Sequence, residues 1–292
     1  MGIQYLNKYL CEHCLSIKTL PLRKFKNKTI VIDTSIYMYK FLGEGALVEK
    51  MRKMIQIFRM YEITPLFVFD GRPPPEKKEL IVQRNKIKYK AETEYNELLS
   101  CSPQNTTEKM QQLKTQFLRI GEVEVNLIKE LFDTEKVEYF VSTTEADPLC
   151  VYLVHVKKAY ACLTEDMDMF VYGCENILRN INLEKHQIQH YSVPSILKEL
   201  KLSQHEFKQI MILSGTDYDI HHHTPLYKTL NMFEKYKTLR VNMDFYEWLT
   251  RNYPSYIQDR EKLDHCFDMF DLEYYKEDLQ NFSSIVVGGC SQ

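Results

Sequence analysis

Seven acidic residues, Asp33, Asp70, Glu145, Asp147, Asp166, Asp168 and Asp217, stand where strands should end or helices begin. Gathered in one place they would repel one another, and divalent cations relieve that repulsion. All-oxygen ligands suit Mg²⁺, with Mn²⁺ able to substitute, better than zinc. Two such ions about 4 Å apart can activate a water, stabilise a pentacovalent phosphate and assist the leaving oxygen. That chemistry is phosphodiester hydrolysis. Any one of these residues alone reads as a helix cap. The E-A-D run at 145–147 and the D-M-D run at 166–168 each set two carboxylates close together, which a cap does not require.

The elements that must position these acids are short apolar runs. Thr29–Ile32 precedes Asp33 and Leu66–Phe69 precedes Asp70. Glu138–Val141 precedes Glu145 and Asp147, and Tyr160–Leu163 precedes Asp166 and Asp168. Runs that are apolar on both faces suit a parallel sheet covered by helices. Val48, Met51, Ile55 and Phe58, then Leu149, Leu153 and Val156, recur at helical spacing. The alternation predicts an α/β fold, a doubly wound and mainly parallel sheet with ligands at the carboxyl ends of the strands. Residues 76–135 exceed a simple connection and read as helices, chiefly Lys78–Leu99 and Thr107–Leu118, which would project as an arch. After residue 195 the chain reads as helical. The expected division is a core over 1–218, with the arch inserted at 76–135, and a helical packing region over 219–292.

Composition sets outer limits. A chain of 292 residues, 44% hydrophobic and 27% charged, is ordinary for a globular protein. The net charge of −2 does not announce a nucleic-acid binder, so distribution decides. Lys77, Lys78, Arg84, Lys86, Lys88 and Lys90 form a basic track beside the presumed acidic pocket. Apolar runs are too short for a membrane span, and the start lacks a signal-peptide pattern. The eight cysteines read as reduced thiols, and an intracellular location is expected. Cys11-Glu-His-Cys14 has half a zinc-site spacing without a second pair.

MGI at the start, VIDTSIYMYKF at 31–41, FVFDGRPPPEK at 67–77, TEAD at 144–147, TEDMD at 164–168 and ILSGTDY at 212–218 follow one another in a recognisable order. In these motifs the chain resembles the flap endonuclease family of structure-specific 5′ nucleases, over nearly its whole length but less closely after about residue 220. The resemblance implies a PIN-like core and makes the seven acids the ligands, direct or through water, of two Mg²⁺ ions. Asp147 stands where the family more often has Glu. Lys77 and Arg84 match basic positions that reach the scissile phosphate, in a catalytic role, and Lys88 would extend that track. Tyr39 resembles the aromatic that stacks on a terminal base, and Gly2 would sit near the site.

The family's helix-two-turn-helix corresponds here to 219–230, where Pro225 remains but the glycines do not. His221, His222 and His223 are expected to contact phosphate in place of the missing ion site. The segment between Asp33 and Asp70 is short for the family, which trims the junction-reading region. No sliding-clamp motif is found. The expected activity is Mg²⁺-dependent cleavage of 5′ flaps or branched DNA near single-strand/double-strand junctions, by a monomer, in a nucleus or, for a viral source, in a host-cell compartment. The alternatives are a 5′→3′ exonuclease or junction resolvase on the same core, and a catalytically inactive scaffold that binds nucleic acid.

Overall fold

The computed structural model describes residues 3–101, 108–218 and 224–279. Gly2, His221, His222 and His223 lie outside the described residues, as does the first part of the expected 219–230 turn. Helix α1 (Leu6–His13) precedes β1 (Lys18–Pro21) and β2 (Thr29–Asp33), then come α2 (Thr34–Gly43), α3 (Leu47–Met60) and β3 (Thr64–Phe69). A helical hairpin follows, α4 (Lys78–Cys101) and α5 (Glu108–Gln116), then α6 (Glu122–Thr134), β4 (Tyr139–Val141), α7 (Ala146–His155), β5 (Ala161–Leu163) and the short α8 (Asp168–Val171). The chain ends with β6 (Asn176–Asn182), β7 (Gln187–Ser192), α9 (Val193–Leu200), α10 (Gln204–Leu213), α11 (Leu226–Leu239), α12 (Phe245–Asn252) and α13 (Arg260–Met269).

Among the described residues the strands form one seven-stranded sheet in the order β1-β7-β6-β5-β2-β3-β4. From β6 through β4 neighbours run parallel, while β7 pairs antiparallel with β6 and β1. The chain winds outward from β2 to β4 and then returns to lay β5 on the other side of β2. This reversal opens a crevice at the carboxyl ends of β2 and β5, the usual place for a ligand in such a sheet.

Side-chain alternation explains why the central strands are apolar throughout. Ile30, Ile32, Phe67, Phe69, Ala161 and Leu163 face a core shared with α2, α3 and α6. Val31, Leu66, Val68 and Cys162 face the opposite core, with α1, α7 and α10. Phe132 of α6 stacks on Phe67 at 4.2 Å between ring centroids. The 76–135 excursion therefore has two parts. Only α4 and α5 project, and α6 is drawn back to the sheet because Ile128, Leu131 and Phe132 recur on one face and are buried. The hairpin itself is held by Tyr95 against Phe117 (5.3 Å) and by the ion pairs Lys109–Glu94 (2.7 Å) and Arg119–Glu92 (3.0 Å). Helix α4 has 24 residues, which gives a rod about 36 Å long.

The carboxy-terminal helices are not a separate layer. Trp248, Phe270 and Tyr275 belong to the same buried cluster as Leu149 of α7 and Phe170 of α8.

Candidate active site

β2 ends in Asp33, which is 5% exposed and accepts a hydrogen bond from the Thr164 hydroxyl at 3.1 Å. The pairing is a matter of register, since Ile32 lies opposite Leu163 and the next residues of the two strands meet at the crevice. Thr164 Oγ1 also accepts from the Asp166 N–H (3.1 Å), and the Asp166 carboxylate accepts from the Asp168 N–H (3.0 Å). One threonine and one aspartate thus fold the 164–168 turn so that two carboxylates turn inward.

The turn is braced from behind. Arg179, on β6 and 8% exposed, donates to the Glu165 carbonyl and to Asn7 Oδ1, both at 2.8 Å, and its Nε lies 3.7 Å from Glu165 Oε2. Glu165 Oε1 accepts from the Tyr37 hydroxyl at 3.3 Å. Glu165 therefore faces away from the acidic group, although it sits between Thr164 and Asp166.

β3 delivers Asp70, whose Oδ1 accepts the Ala146 N–H at 2.8 Å at the start of α7. A carboxylate favours that helix end because its N–H groups lack partners within the helix. The two loops approach so closely that a β-carbon on Gly71 would lie 2.0 Å from the Ser142 carbonyl oxygen and 2.8 Å from Thr143 backbone atoms. The Gly71 N–H donates to the Thr144 carbonyl at 2.6 Å, and this contact locks Asp70 beside Glu145 and Asp147.

Electrostatics join the seven acids into one group. Burial first, then Asp70 and Asp166, push the Asp33 carboxyl well above the usual carboxylate range. Asp147 is raised by burial, then by Asp166 and Asp33, with Lys77 pulling the other way. Asp168 is raised by burial, then by Asp166 and Asp217, again opposed by Lys77.

Two cations from the arch base meet this group. Lys77 Nζ lies 2.7 Å from Glu145 Oε1, and an Arg84 nitrogen lies 2.7 Å from Asp217 Oδ2. Burial disfavours the Lys77 charge, but Glu145, Asp147 and Asp168 outweigh it and hold the ammonium above its usual range. Tyr218 completes the wall. Its hydroxyl donates to Glu145 Oε2 at 2.9 Å, and Lys77 Nζ sits 4.5 Å from the centre of its ring. Behind it the Tyr172 hydroxyl is 3.0 Å from Tyr218 and 3.4 Å from Tyr275, a row of three phenols leading to Glu145. Burial pushes the Tyr218 and Tyr172 hydroxyls upward, which keeps their protons in place.

Among the described residues no three acidic, histidine or cysteine side chains are gathered tightly enough to enclose an ion. The reason is visible in the pairings: Glu145 and Asp217 are held by Lys77 and Arg84, Asp70 by Ala146 and Asp33 by Thr164. The donor set still suits a hard divalent cation. It is all carboxylate, three of its members are raised by mutual repulsion and burial, and Asp168 Oδ1 is buried with no hydrogen-bond partner. Such an orphaned acceptor is costly unless a ligand satisfies it.

Tyr39 is 41% exposed, whereas Tyr37, two residues earlier, is fully buried. Lys88 Nζ lies 5.2 Å from the centre of the Tyr39 ring, so these two expected DNA contacts touch each other across the mouth of the arch. Cys11 is exposed and Cys14 buried, at the end of α1. Tyr218, Thr164 and Arg179 were not singled out from the sequence. The first two lie inside the quoted motifs, and the signal for Arg179 was a lone charge within an otherwise apolar pattern, Ile177 to Ile181.

Residues 1–91 match the family model described as the XPG N-terminal domain, and residues 136–217 the one described as the XPG I-region. Flap endonuclease 1 of Encephalitozoon cuniculi is 31% identical over 236 residues, spanning 75% of this chain and 68% of that protein. The Bos taurus flap endonuclease 1 is 29% identical over 237 residues, and the match spans 75% of this chain but only 62% of the bovine protein. In three dimensions the chain is similar to the catalytic core of Rad2 in complex with DNA substrate, with a TM-score of 0.63, 21% identity and coverage of 92% and 85%. The flap endonuclease-1 from Methanococcus jannaschii gives a TM-score of 0.62 at 18% identity, covering 92% and 84%.

Proposed function

Since the chain belongs to the XPG and flap endonuclease family, we propose that it is a structure-specific 5′ nuclease that cuts 5′ flaps or branched DNA beside a single-strand/double-strand junction. One observation carries the reading: Lys77 and Arg84 bring two cations from the arch base onto an otherwise repulsive group of seven carboxylates. A phosphodiester matches both halves of that arrangement. Its non-bridging oxygens would take the places of Glu145 and Asp217 beside Lys77 and Arg84, and the freed carboxylates would then be available as ligands for divalent cations.

Asp33, Asp70, Asp147, Asp166 and Asp168, with Glu145 and Asp217 directly or through water, would hold Mg²⁺ or Mn²⁺. The bound ions supply the charge that lowers the pKa of an attacking water and neutralises the oxyanions of the transferring phosphate. Lys77 and Arg84 orient the scissile phosphate and stabilise charge that develops on it. Lys77 is suited to this because its ammonium is fixed between Glu145 and the Tyr218 ring. Arg84, in the second turn of α4, reaches the same acidic group through Asp217. The α4–α5 hairpin confines the 5′ strand, and Tyr39 offers an aromatic face to a terminal base once Lys88 moves to a phosphate.

The reading is tested with a labelled 5′-flap duplex, wild-type protein and Asp166→Ala in Mg²⁺, beside nicked, gapped and four-way DNA. Cutting at the junction by wild type, abolished in the variant, is the expected result. Wild-type protein that binds the flap and never cuts it would make the chain a scaffold.

A further inference from the structure

The edge of the sheet opposite the acidic crevice carries a second charge pattern. β2 begins after Lys28 and ends in Asp33, so the two edges are about 17 Å apart at about 3.3 Å per residue. β5 begins after Tyr160, whose N–H donates to the Thr29 carbonyl at 2.8 Å, a register that sets Lys28 level with Ala159, the residue after Lys158. Lys18 lies opposite His190 across the β1–β7 ladder. The His190 ring is 6.1 Å from Phe25 and stacks on Tyr160 at 6.5 Å, and Lys28 Nζ lies 5.1 Å from the Tyr160 ring. Basic side chains thus surround a partly exposed aromatic plate, Tyr160 being 36% exposed.

The charges there are not balanced. Lys26 is paired with Glu62 (2.7 Å) and Lys157 with Glu175 (2.5 Å). Among the described residues no carboxylate lies within ion-pair distance of Lys18, Arg23, Lys24, Lys28 or Lys158, all of them exposed. Glu199 at the border is engaged by Ser16, through the backbone N–H and the hydroxyl, both at 3.3 Å. Three uncompensated cations, Lys18, Lys28 and Lys158, at one end of the sheet of a chain whose net charge is −2 polarise the molecule. Unpaired surface cations are a surface for a phosphodiester backbone, which supplies regularly spaced negative charge to the ammonium groups.

We propose that this edge, formed by Lys18, Lys28 and Lys158 around Tyr160, is a second nucleic-acid contact that grips the backbone of a DNA arm extending beyond the cleft. The proposal rests on the reading of the chain as a DNA nuclease. It makes the protein a two-point binder in which one face cuts and the opposite face anchors. Arm length, and not junction shape, decides whether the second point is engaged.

The test measures anisotropy of flap junctions with duplex arms of about 8 or about 30 base pairs over a salt series in Ca²⁺, using wild type and the Lys18→Gln/Lys28→Gln/Lys158→Gln variant. Loss of three phosphate contacts should lower the salt slope on the long-arm DNA by about 2 to 3 and the affinity by roughly tenfold or more. Short-arm affinity, and cleavage of the short-arm flap in Mg²⁺, should not change. Equal slopes for the two proteins on long arms would overturn the anchor and leave the nuclease reading intact, because short-arm cleavage reports on that separately. Wild-type protein that neither binds nor cuts either junction would overturn both. Retention on phosphatidylserine vesicles that the variant loses, with unchanged DNA slopes, would assign the edge to a membrane surface and overturn the DNA contact.

Discussion

Arg84 and Asp217, 133 residues apart in the chain, are joined at 2.7 Å across the base of the arch. The pair closes the gap between α4 and the loop after α10, and on the proposed reading it ties a cation that orients phosphate to a carboxylate that holds metal. Arg84→Ala should therefore leave the fold in place, because this guanidinium is partly exposed and surface pairs contribute little. The loss falls on the chemical step. Removing one donor to a developing oxyanion costs about 10²–10³ in rate, to be read in single-turnover cleavage of a 5′ flap. An Arg84→Ala enzyme within a factor of about three of wild type would remove Arg84 from the catalytic roles proposed above.

Divalent cations should stabilise the protein. Asp33, Asp147 and Asp168 repel their neighbours in a buried setting, and Mg²⁺ at about a hundred times its Kd adds about 2.7 kcal/mol to the folded state. Scanning fluorimetry in chelator and then in Mg²⁺ should show a midpoint rise of several degrees. Asp168→Asn should melt higher than wild type in chelator, since it removes a buried charge whose Oδ1 has no partner, and should respond less to Mg²⁺. A flat Mg²⁺ response in wild type would count against the carboxylate group as an ion site.

Gly71→Ala tests the contact between the two acid-bearing loops. The added carbon meets Ser142 backbone oxygen at 2.0 Å, a distance that only movement of main chain can relieve. Overpacking of this kind costs about 1–3 kcal/mol, and the movement carries Asp70 away from Glu145 and Asp147. Both the melting midpoint and the turnover number should fall. Full activity in this variant would show that the spacing of Asp70 is not critical.

Tyr218→Phe removes one hydroxyl from the Glu145 carboxylate and leaves the ring beneath Lys77. A hydrogen bond to a ligand side chain typically contributes 10–100-fold in metal affinity. The Mg²⁺ concentration for half-maximal cleavage should rise by roughly tenfold, with the rate at saturating Mg²⁺ much less affected. A purely structural hydroxyl would move the melting midpoint alone.

Asp244 provides a pH signature remote from the site. It caps α12 by accepting the Tyr246 N–H at 2.8 Å and receives Gln209 Nε2 of α10 at 2.6 Å. Burial works to raise its pKa, but Gln209, the Tyr246 N–H and His205 together hold it below the ordinary aspartate range. A depressed folded-state value contributes stability that is complete above the unfolded value, about 3.9. That stability is lost as pH falls through the folded one. Acid unfolding below pH ~4 should thus be shallower in Asp244→Ala, which also loses about 1 kcal/mol of cap at neutral pH. Identical acid transitions in the two proteins would reject this linkage.

The strands that carry Asp33, Asp70 and Asp166 were legible because each is buried on both faces, and an unbroken apolar run followed by an acid marks its carboxyl end. β6 and β7 were not, because Asn176–Asn182 and Gln187–Ser192 mix polar with apolar residues where the sheet is only partly covered. The two arch helices were readable from their charged periodicity. The return of α6 to the sheet depends on Phe132 finding Phe67, a contact between distant segments that local spacing does not encode. In the site, residue types at the strand ends point to the acids, whereas the role expected of Lys77 comes from the motif resemblance. The partnership of Lys77 with Glu145, 68 residues away, and of Tyr218 with Tyr172 arises only from the crossing of loops at the crevice.

The row of hydroxyls from Glu145 through Tyr218 and Tyr172 ends on Tyr275, which lies in the short helical turn Leu272–Tyr275. A fragment trimmed at residue 218, after the last of the acids, would keep every charged group of the crevice and lose the far support of Glu145, together with Trp248 and Phe270 from the shared interior. The shortest fragment that keeps this support therefore runs through Tyr275, and the last helices prop the acidic crevice from outside it.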